Sequence, residues 1–560
     1  MKRLISLILT VFTVLALICG CAGNTTVTET EEQTQPAETT AEVTTEEVTT
    51  EAVTTEEVTT EEVTTEPEVT EPAFPEPTQE VLDAPAATAF KVTGVYGNDM
   101  VIQRNEYIRV WGFADEDQNG KRVNAEFAGL SGAALIEDGH FFITLNGSLP
   151  ECTEGRDFRV YGDGVEYVYT GVLVGDVYWV VGQSNVAYPV SSIKAEPLAS
   201  AAGRNCEISN DDLIRLNRSS MTDANNGLTQ GTTDVNEDVP VKRGWQKPKQ
   251  GAYSFAAIGY FAGKQLYEAL DKKIPLGLIE FDAGGAALNA FCPNEVCDAL
   301  KIDKQNKKGI YTAQSVNNNA SRFMYNHYMY PFQNFPICGL IWYQGESDCN
   351  QNNDTKYNAR FSALITEYRN RHNLINHDYP VFVIEFPPIY MNFPYDSIRQ
   401  YMGLIPNYVK NAHMVQSSDL WKDKTYENNL HPYCKWEQAE RLTNIILANV
   451  YGIGDPEYVE GPTAVSVEFS DEGCTATVKF RNVGDGLKAE GGEIKGFYVK
   501  LSAKLVEPDS VEIVGKDTVV LKASKKIKSV HYNSKLEDSF PETLTLCNSA
   551  GVPCNSFILK

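Results

Sequence analysis

The feature that most constrains the fold is a short apolar run, Val177 to Val181, that ends at a glycine. Its β-branched and aromatic residues are typical of a buried strand. Gly182 permits a sharp turn because it has no Cβ, and Ser184 follows just beyond it. Functional residues of open α/β sheets gather at the carboxyl ends of strands. Ser184 is therefore either a nucleophile served by a nearby base or simply the cap of the next segment.

Strand-like and helix-like segments alternate from this run to about residue 455. Helices are predicted at 255–270, 357–368 and 437–450, and strands at 274–281, 337–343, 380–386 and 413–416. Such alternation predicts a parallel sheet with helices on both faces. Shorter strand patterns bounded by turns flank this part. We therefore expect an α/β domain at 173–455, a β-sandwich at 88–172 and a C-terminal β region at 456–560.

The first 21 residues have the form of an export signal. Lys2 and Arg3 precede an apolar run, Leu4 to Leu17, that is too short for a typical membrane span. The run leads to a cysteine, and this arrangement resembles a bacterial lipoprotein signal in which Cys21 becomes the lipid-modified first residue. An ordinary cleaved signal peptide is the alternative. We expect an exported protein on the surface of a bacterium, held to the membrane only by the lipid on Cys21.

Residues 22–87 consist mainly of Thr, Glu, Val and Pro, in repeats of the form Val-Thr-Thr-Glu-Glu. The segment carries eighteen acidic residues and no basic residue, and Phe74 is its one aromatic. Because such a composition cannot bury a core, we predict a disordered, extended stalk. The stalk supplies most of the chain's net charge of −27. The charge therefore says little about the substrate, although it argues against nucleic acid as a partner.

Polar turns also follow two later strands, and a histidine comes near the end of the α/β part. Gly284 and Gly285 follow one strand, Gln344 follows another, and His431 precedes the last long helix. A serine nucleophile needs a base and donors for the oxyanion. Glycine backbone can approach an oxygen closely, an amide side chain can donate, and imidazole titrates near neutral pH. Each residue alone has a structural explanation, but their succession at strand ends favours a catalytic site.

At these positions the sequence resembles a known family. The segments 175–185, 284–285, 341–347 and 431–432 are similar to the four sequence blocks of the sialate O-acetylesterase family, which are carbohydrate esterases of the SGNH hydrolase superfamily. The resemblance extends over essentially all of residues 90 to 560. It implies an SGNH-type three-layer α/β/α domain with a parallel sheet, between the two β regions.

The resemblance also implies roles for individual residues. Ser184 is the expected nucleophile and His431 the expected base. The backbone of Ser184, a Gly285 N–H and the side chain of Gln344 are the expected oxyanion hole. The implied reaction is hydrolysis of O-acetyl esters on sugars through an acetyl-enzyme, with no cofactor and no metal. No HExxH pair and no other metal-ligand cluster stands out in the sequence.

The sequence departs from the pattern at the triad acid. Many SGNH enzymes have an aspartate three residues before the histidine, and some relatives have it two before. Here those positions are Asn428 and Asn429. Either the enzyme works as a Ser-His dyad, with Asn428 as a possible orienting residue, or another carboxylate such as Asp419 orients His431.

Several alternatives stay open from the sequence. Acetylated xylan or another plant polysaccharide rivals sialic acid as the substrate. A non-catalytic glycan-binding surface protein is the alternative of another class, and the presence of both Ser184 and His431 argues against it. Ten cysteines after Cys21 permit disulfides in an exported protein, but their pairing does not follow from the sequence.

Overall fold

The computed structural model describes residues 74–195, 208, 213–220, 234–239, 244–302, 321–351, 356–386, 395–420, 430–534 and 544–560. The predicted export signal with Cys21, most of the predicted stalk, and both Asn428 and Asn429 lie outside these residues. Within the described ranges, every helix is too short or too polar to traverse a bilayer.

The end of the segment predicted as a stalk is packed against the body of the protein. Residues Gln79–Asp83 form helix α1, and the Thr78 hydroxyl accepts a hydrogen bond from its first turn. The ring of Phe74 contacts that of Tyr107 at a centroid distance of 5.6 Å. The prediction of disorder is therefore wrong for residues 74–87, because an aromatic contact and a helix cap give this stretch local partners.

Eight strands follow in the next hundred residues. They are β1 (Lys91–Val92), β2 (Val101–Gln103), β3 (Arg109–Phe113), β4 (Arg122–Phe127), β5 (Leu130–Leu135), β6 (His140–Thr144), β7 (Cys152–Tyr161) and β8 (Glu166–Gly182). Strands β1, β3 and β6 form one antiparallel sheet. Strand β4 pairs with β5 and β7, and β7 pairs with the first half of β8. Val123, Phe141 and Phe158 lie in the buried core of this part.

The second half of β8 lies at the centre of a mainly parallel sheet. The other strands are β9 (Ile214–Ser220), β10 (Trp245–Gln246), β11 (Leu276–Asp282), β12 (Gly339–Tyr343), β13 (Val381–Ile384) and β14 (Ala412–Val415). The strand order is β10-β9-β11-β8-β12-β13-β14, and β10 alone in this row runs antiparallel to its neighbour. The strand predicted at Val177–Val181 is thus confirmed. The domain boundary predicted between residues 172 and 173 lies inside β8.

Helices follow the strands of this sheet. They are α2 (Ser184–Ala187), α3 (Val190–Ala195), α4 (Pro248–Gly251), α5 (Ala257–Ala269), α6 (Asn294–Ala299), α7 (Tyr357–His372), α8 (Tyr395–Met402), α9 (Lys435–Tyr451) and α10 (Pro456–Val459). The long helices predicted at 255–270, 357–368 and 437–450 correspond to α5, α7 and α9, and are confirmed.

Two neighbouring residues of β8 show that helices cover both faces of the sheet. Trp179 and Val180 point to opposite faces, because successive side chains of a strand alternate. Tyr368 of α7 meets the ring of Trp179 at 6.1 Å, whereas Gly259 of α5 lies against the side chain of Val180. A sheet buried on both faces explains why this strand is a continuous apolar run rather than an alternating one.

The last hundred residues form short antiparallel strands. They are β15 (Thr463–Phe469), β16 (Thr475–Arg481), β17 (Lys488–Ala489), β18 (Phe497–Lys500), β19 (Leu505–Val506), β20 (Ser510–Val514), β21 (Thr518–Lys522), β22 (Ser529–Tyr532), β23 (Leu546–Cys547) and β24 (Phe557–Leu559). They surround a second hydrophobic core that includes Val478, Leu521 and Phe557. The Ser556 hydroxyl donates to Glu385, next to the end of β13, and so ties this region to the parallel sheet.

Candidate active site

Three neighbouring strands end together at the centre of the parallel sheet. Gly182 of β8 pairs in register with Asp282 of β11 on one side and with Tyr343 of β12 on the other. After β8 the chain builds β9, β10 and β11 on one side of β8, and then β12, β13 and β14 on the other side. This reversal is a topological switch point, where open α/β sheets form their ligand-binding crevices. The polar turns after these three strands therefore lie side by side.

Ser184 is the first residue of α2 and is half-buried at this crevice. The preceding Gln183 is buried, and its backbone N–H donates to the Tyr343 carbonyl at 3.3 Å. The following Asn185 and Val186 are also buried. Ser184 therefore lies on a short segment that is anchored on both sides, which suits a strand-end nucleophile.

His431 lies just before α9 and close to the serine segment. Its ring stacks on that of Tyr188 at a centroid distance of 5.7 Å, with an interplanar angle of 18°. The Asn185 side chain donates to the carbonyl of Leu430 at 3.1 Å. These contacts join the residues next to Ser184 and His431. Burial lowers the pKa of His431 below that of a free histidine, and the ammonium of Lys435 lowers it further.

The glycine turn after β11 presents an open backbone surface. Gly285 has a φ of +74°, which favours glycine, and an added Cβ at Gly284 or Gly285 would meet no heavy atom within 4 Å. The turn is closed by the N–H of Ala286, which donates to the carbonyl of Ala283 at 3.1 Å. Peptide groups in such a turn can approach a bound oxygen, as expected for an oxyanion hole. The role of Gly285 itself stays a prediction.

Gln344, predicted to donate to the oxyanion, is fully buried and its side chain is engaged within the protein. Its amide nitrogen donates to Asp348 at 2.6 Å and to the carbonyl of Ala286 at 3.1 Å. Its amide oxygen accepts from the Tyr357 hydroxyl at 3.0 Å. In this arrangement Gln344 fixes the glycine turn to the end of β12. The predicted oxyanion contact would require one of these bonds to break, and it stays a prediction.

Asp419, the carboxylate considered for orienting His431, is held by an arginine. Both of its oxygens accept hydrogen bonds from the Arg441 guanidinium, at 2.6 and 2.5 Å. The same guanidinium donates to the Gln416 carbonyl at 2.7 Å. The bidentate pair gives Asp419 a structural role between β14 and α9. Asn428, the other orienting candidate, lies outside the described residues.

A buried polar chain that the sequence analysis did not identify lies beneath the serine. Lys435 donates to the Asn185 side-chain oxygen at 2.7 Å, and the Asn185 nitrogen donates to Glu346 at 2.5 Å. Burial lowers the pKa of Lys435 to about 7 and raises that of Glu346 to about 7. Glu346 lies in the sequence block after β12 and Lys435 follows His431 by four residues, but the sequence does not indicate that either side chain is buried.

The cysteines and possible metal ligands add no further centre to the described part. Nine cysteines are described, and all are free thiols, including the pairs Cys292 and Cys297, and Cys547 and Cys554. Among the described residues, no group of three or more His, Cys, Asp or Glu side chains is arranged to hold a metal ion.

The described strands and helices have a fold of the SGNH type. The serine follows the central strand, a glycine turn follows the neighbouring strand, and the histidine precedes the last helix of the sheet. The solved structure of XAC1771, a carbohydrate acetylesterase from Xanthomonas citri, has the same fold, with a TM-score of 0.67. That similarity covers 84% of this chain and 100% of the other at 21% sequence identity.

Sequence comparison finds a similar family and similar proteins. The family described as carbohydrate esterase, sialic acid-specific acetylesterase, matches residues 174–439. This stretch of the chain is similar to that family. The chain is 27% identical over 323 residues to the sialate O-acetylesterases of Pongo abelii and Homo sapiens, and 22% identical over 344 residues to that of Mus musculus. The alignments cover 53% of this chain and 57 to 60% of those relatives.

Proposed function

We propose that this protein is a carbohydrate O-acetylesterase that hydrolyses O-acetyl esters on sugars through an acetyl-enzyme on Ser184. The observation that carries the proposal is the attachment of the Ser184 segment to the His431 segment at the switch point of the sheet. The bond from Asn185 to Leu430, at 3.1 Å, makes that attachment. A nucleophile, a base and an open glycine turn are the parts that ester hydrolysis requires.

The proposed reaction has two halves. In the first, the Ser184 oxygen attacks the acetyl carbonyl carbon while His431 takes the serine proton. The ester C–O bond then breaks, His431 gives the proton to the departing sugar oxygen, and the acetyl group stays on Ser184. In the second half, water attacks the acetyl-enzyme and gives a proton to His431. Acetate leaves, and the proton returns to Ser184.

Sialic acid is the proposed sugar. The family description supports this choice, because it names sialic acid, and so do the relatives named as sialate O-acetylesterases. Acetylated xylan is the competing substrate. Acetate release should be compared on O-acetylated sialic acid, acetylated xylan and acetylated manno-oligosaccharides at equal ester concentration. Higher kcat/KM on xylan than on sialic acid would contradict the proposed sugar but not the esterase.

Replacement of the serine tests the reaction itself. Ser184→Ala should reduce turnover of p-nitrophenyl acetate and of the best sugar ester by about 10⁶-fold, because no acetyl-enzyme forms. Ser192→Ala, which changes a half-buried serine in the next helix α3, is the matched control and should keep full activity. A folded Ser184→Ala protein with more than a few per cent of normal turnover would exclude Ser184 as the nucleophile.

We also propose that the enzyme is a lipoprotein anchored through Cys21. The basic start, the short apolar run and the cysteine support this, and the acidic stalk would hold the catalytic part away from the membrane. Cys21→Ser should move the protein from the membrane fraction to the medium, or leave it as an uncleaved precursor. Cys19→Ser is the matched control. Normal fractionation and mobility of Cys21→Ser would contradict the proposal.

A further inference from the structure

We propose that Lys435 is a positioning residue for both members of the catalytic pair, acting through Asn185 and through its charge. The inference rests on the proposed acetylesterase function and extends it. Lys435 is the first residue of α9, four residues after His431. Its side chain does not point to solvent but inward, under the serine.

The first observation is the burial of the ammonium group. Lys435 is 0% exposed, and its nitrogen lies 4.5 Å from the ring centroid of Tyr343 and 3.4 Å from the Tyr343 hydroxyl. Lysines are almost never fully buried unless they are paired, because removing an ammonium from water costs several kcal/mol. A residue that serves only to begin a helix could remain in solvent. The buried position therefore indicates that the contacts of this nitrogen matter.

The second observation is that one amide joins three segments of the site. Asn185, directly after Ser184, accepts from Lys435 at 2.7 Å. Its nitrogen donates to Glu346 at 2.5 Å and to the Leu430 carbonyl, directly before His431, at 3.1 Å. The orientation of the Asn185 amide is thus determined by α9, by the turn after β12, and by the histidine segment. If Lys435 is lost, the amide can rotate, and the serine and histidine segments lose their common support.

The third observation is electrostatic. His431 is faced by Lys435 from α9 and by Tyr188 from the serine segment, and Lys435 is faced in turn by Cys434, Tyr343 and Glu346. Free imidazole takes up a proton below about pH 6.5. Burial lowers the pKa of His431, and the charge of Lys435 lowers it further. A nearby positive charge disfavours the imidazolium and keeps His431 in the neutral form that a base needs.

The inference predicts two separable effects of Lys435→Met. Loss of the hydrogen bond to Asn185 should lower kcat about ten- to a hundredfold, with a smaller change in KM, because the reacting groups are displaced. Loss of the charge should move the acid limb of the kcat/KM profile to higher pH, because His431 then gains its proton more easily. A purely structural role would lower the amount of folded enzyme without moving this limb.

Gln438→Met is the matched control. Gln438 is also fully buried on α9 and also donates to the Tyr343 hydroxyl, at 3.1 Å, but within the described ranges no hydrogen bond joins it to Asn185. This variant should keep the wild-type acid limb. Lys435→Gln, which retains a donor without the charge, should keep the shifted limb while recovering part of kcat, and it serves if Lys435→Met does not fold.

The outcomes separate this inference from the proposed function. If the wild-type protein releases no acetate from any acetylated sugar or from p-nitrophenyl acetate, the function is wrong. If the wild type is active but Lys435→Met or Lys435→Gln shows kcat within twofold and an unmoved acid limb, Lys435 is not a positioning residue. An equal shift of the limb in Gln438→Met would also overturn the inference.

Discussion

At the scale of single residues, the unresolved chemical question is what orients His431. In a triad, a carboxylate fixes the histidine tautomer and stabilises the imidazolium that forms during reaction. Asp419 is the carboxylate considered for this role, but Arg441 holds both of its oxygens. An asparagine can fix the tautomer by accepting one hydrogen bond, although it cannot supply the charge. Asn428 remains the better candidate on chemical grounds.

We therefore predict unequal losses from three substitutions. His431→Ala should remove nearly all turnover, and Asn428→Ala should lower it about ten- to a hundredfold, because only orientation is lost. Asp419→Asn should lower the melting temperature, because it weakens the pair with Arg441, but should change kcat/KM less than threefold. The measurement is kcat/KM on p-nitrophenyl acetate with melting curves for each variant. A loss of several orders of magnitude in Asp419→Asn, with Asn428→Ala silent, would make Asp419 the third catalytic residue.

The same scale shows how far the sequence predicts the site. The strand-end rule and the sequence blocks indicate Ser184, Gly285 and His431 as candidates, because these signals are local. The partners of Gln344 are not predictable in this way, since they come from residues 286, 348 and 357. A lysine in an amphipathic helix is normally solvent-exposed, so nothing in the sequence indicates that Lys435 is buried.

At the scale of elements, the site depends on how closely β8 and β12 approach at their carboxyl ends. A Cβ at Gly182 would lie 2.1 Å from the Tyr343 carbonyl oxygen and 2.7 Å from a methyl group of Val186. Both neighbours belong to rigid parts of the site, the end of β12 and the short helix α2. The glycine is therefore required by close packing as well as by the turn that was predicted there.

Gly182→Ala should for this reason destabilise the protein and disable the site together. We expect the free energy of unfolding to fall by about 1 to 3 kcal/mol, because the strands must separate to admit a methyl group. Gly284→Ala is the matched control, since its Cβ would meet no heavy atom within 4 Å, and it should change stability by less than about 0.5 kcal/mol. Urea unfolding of the two variants measures the difference. Equal stability of both would refute the packing argument.

Most strands and helices are predictable from the sequence, and the exceptions depend on contacts with distant parts of the chain. The strands and helices of the α/β part follow from their periodicity, which is a local property. The length of β8 does not follow from periodicity. Its first half pairs with β7 in the N-terminal β region, and its second half lies between β11 and β12 in the parallel sheet. Similarly, the composition of residues 74–87 predicts disorder, but Phe74 contacts Tyr107 and residues Gln79–Asp83 form a helix.

At the scale of the whole molecule, the N-terminal β region is fastened to the end of α7. The Arg109 guanidinium donates to the carbonyls of His372 and Asn373, both at 2.6 Å. Glu106 accepts from the backbone of Ile375 at 2.9 Å and of Asn376 at 2.6 Å. The arginine satisfies carbonyls at the end of α7, where a helix leaves them open, and the carboxylate accepts from N–H groups of the segment that follows. The β region thus caps a helix of the catalytic domain.

His372, at this junction, should make stability depend on pH. The ring is buried against Trp179 at 4.5 Å and bonded to the Tyr379 hydroxyl at 3.0 Å. Burial, and then the charge of Arg109, lower its pKa to about 3. The unfolded chain takes up a proton on this residue below about pH 6.5, and the folded protein does not. The contribution of His372 to stability is therefore complete above pH 6.5 and is lost as the pH falls, by about 1.4 kcal/mol per pH unit down to about pH 3.

His372→Gln should remove this dependence. The variant should be less stable than wild type at pH 7.5, since it loses a well-packed ring. The gap in free energy of unfolding between the two proteins should narrow by about 2 kcal/mol at pH 5.0, because only the wild type loses stability to histidine protonation there. Urea unfolding at the two pH values measures the gap. His140→Gln is the control, because His140 should affect stability with the opposite pH dependence. Glu237 raises the pKa of this exposed histidine, so its small contribution to stability is present at low pH and is lost as the pH rises. A gap for His372→Gln that stays constant between pH 7.5 and 5.0 would show that His372 is protonated in the folded protein, and would contradict the buried, neutral junction.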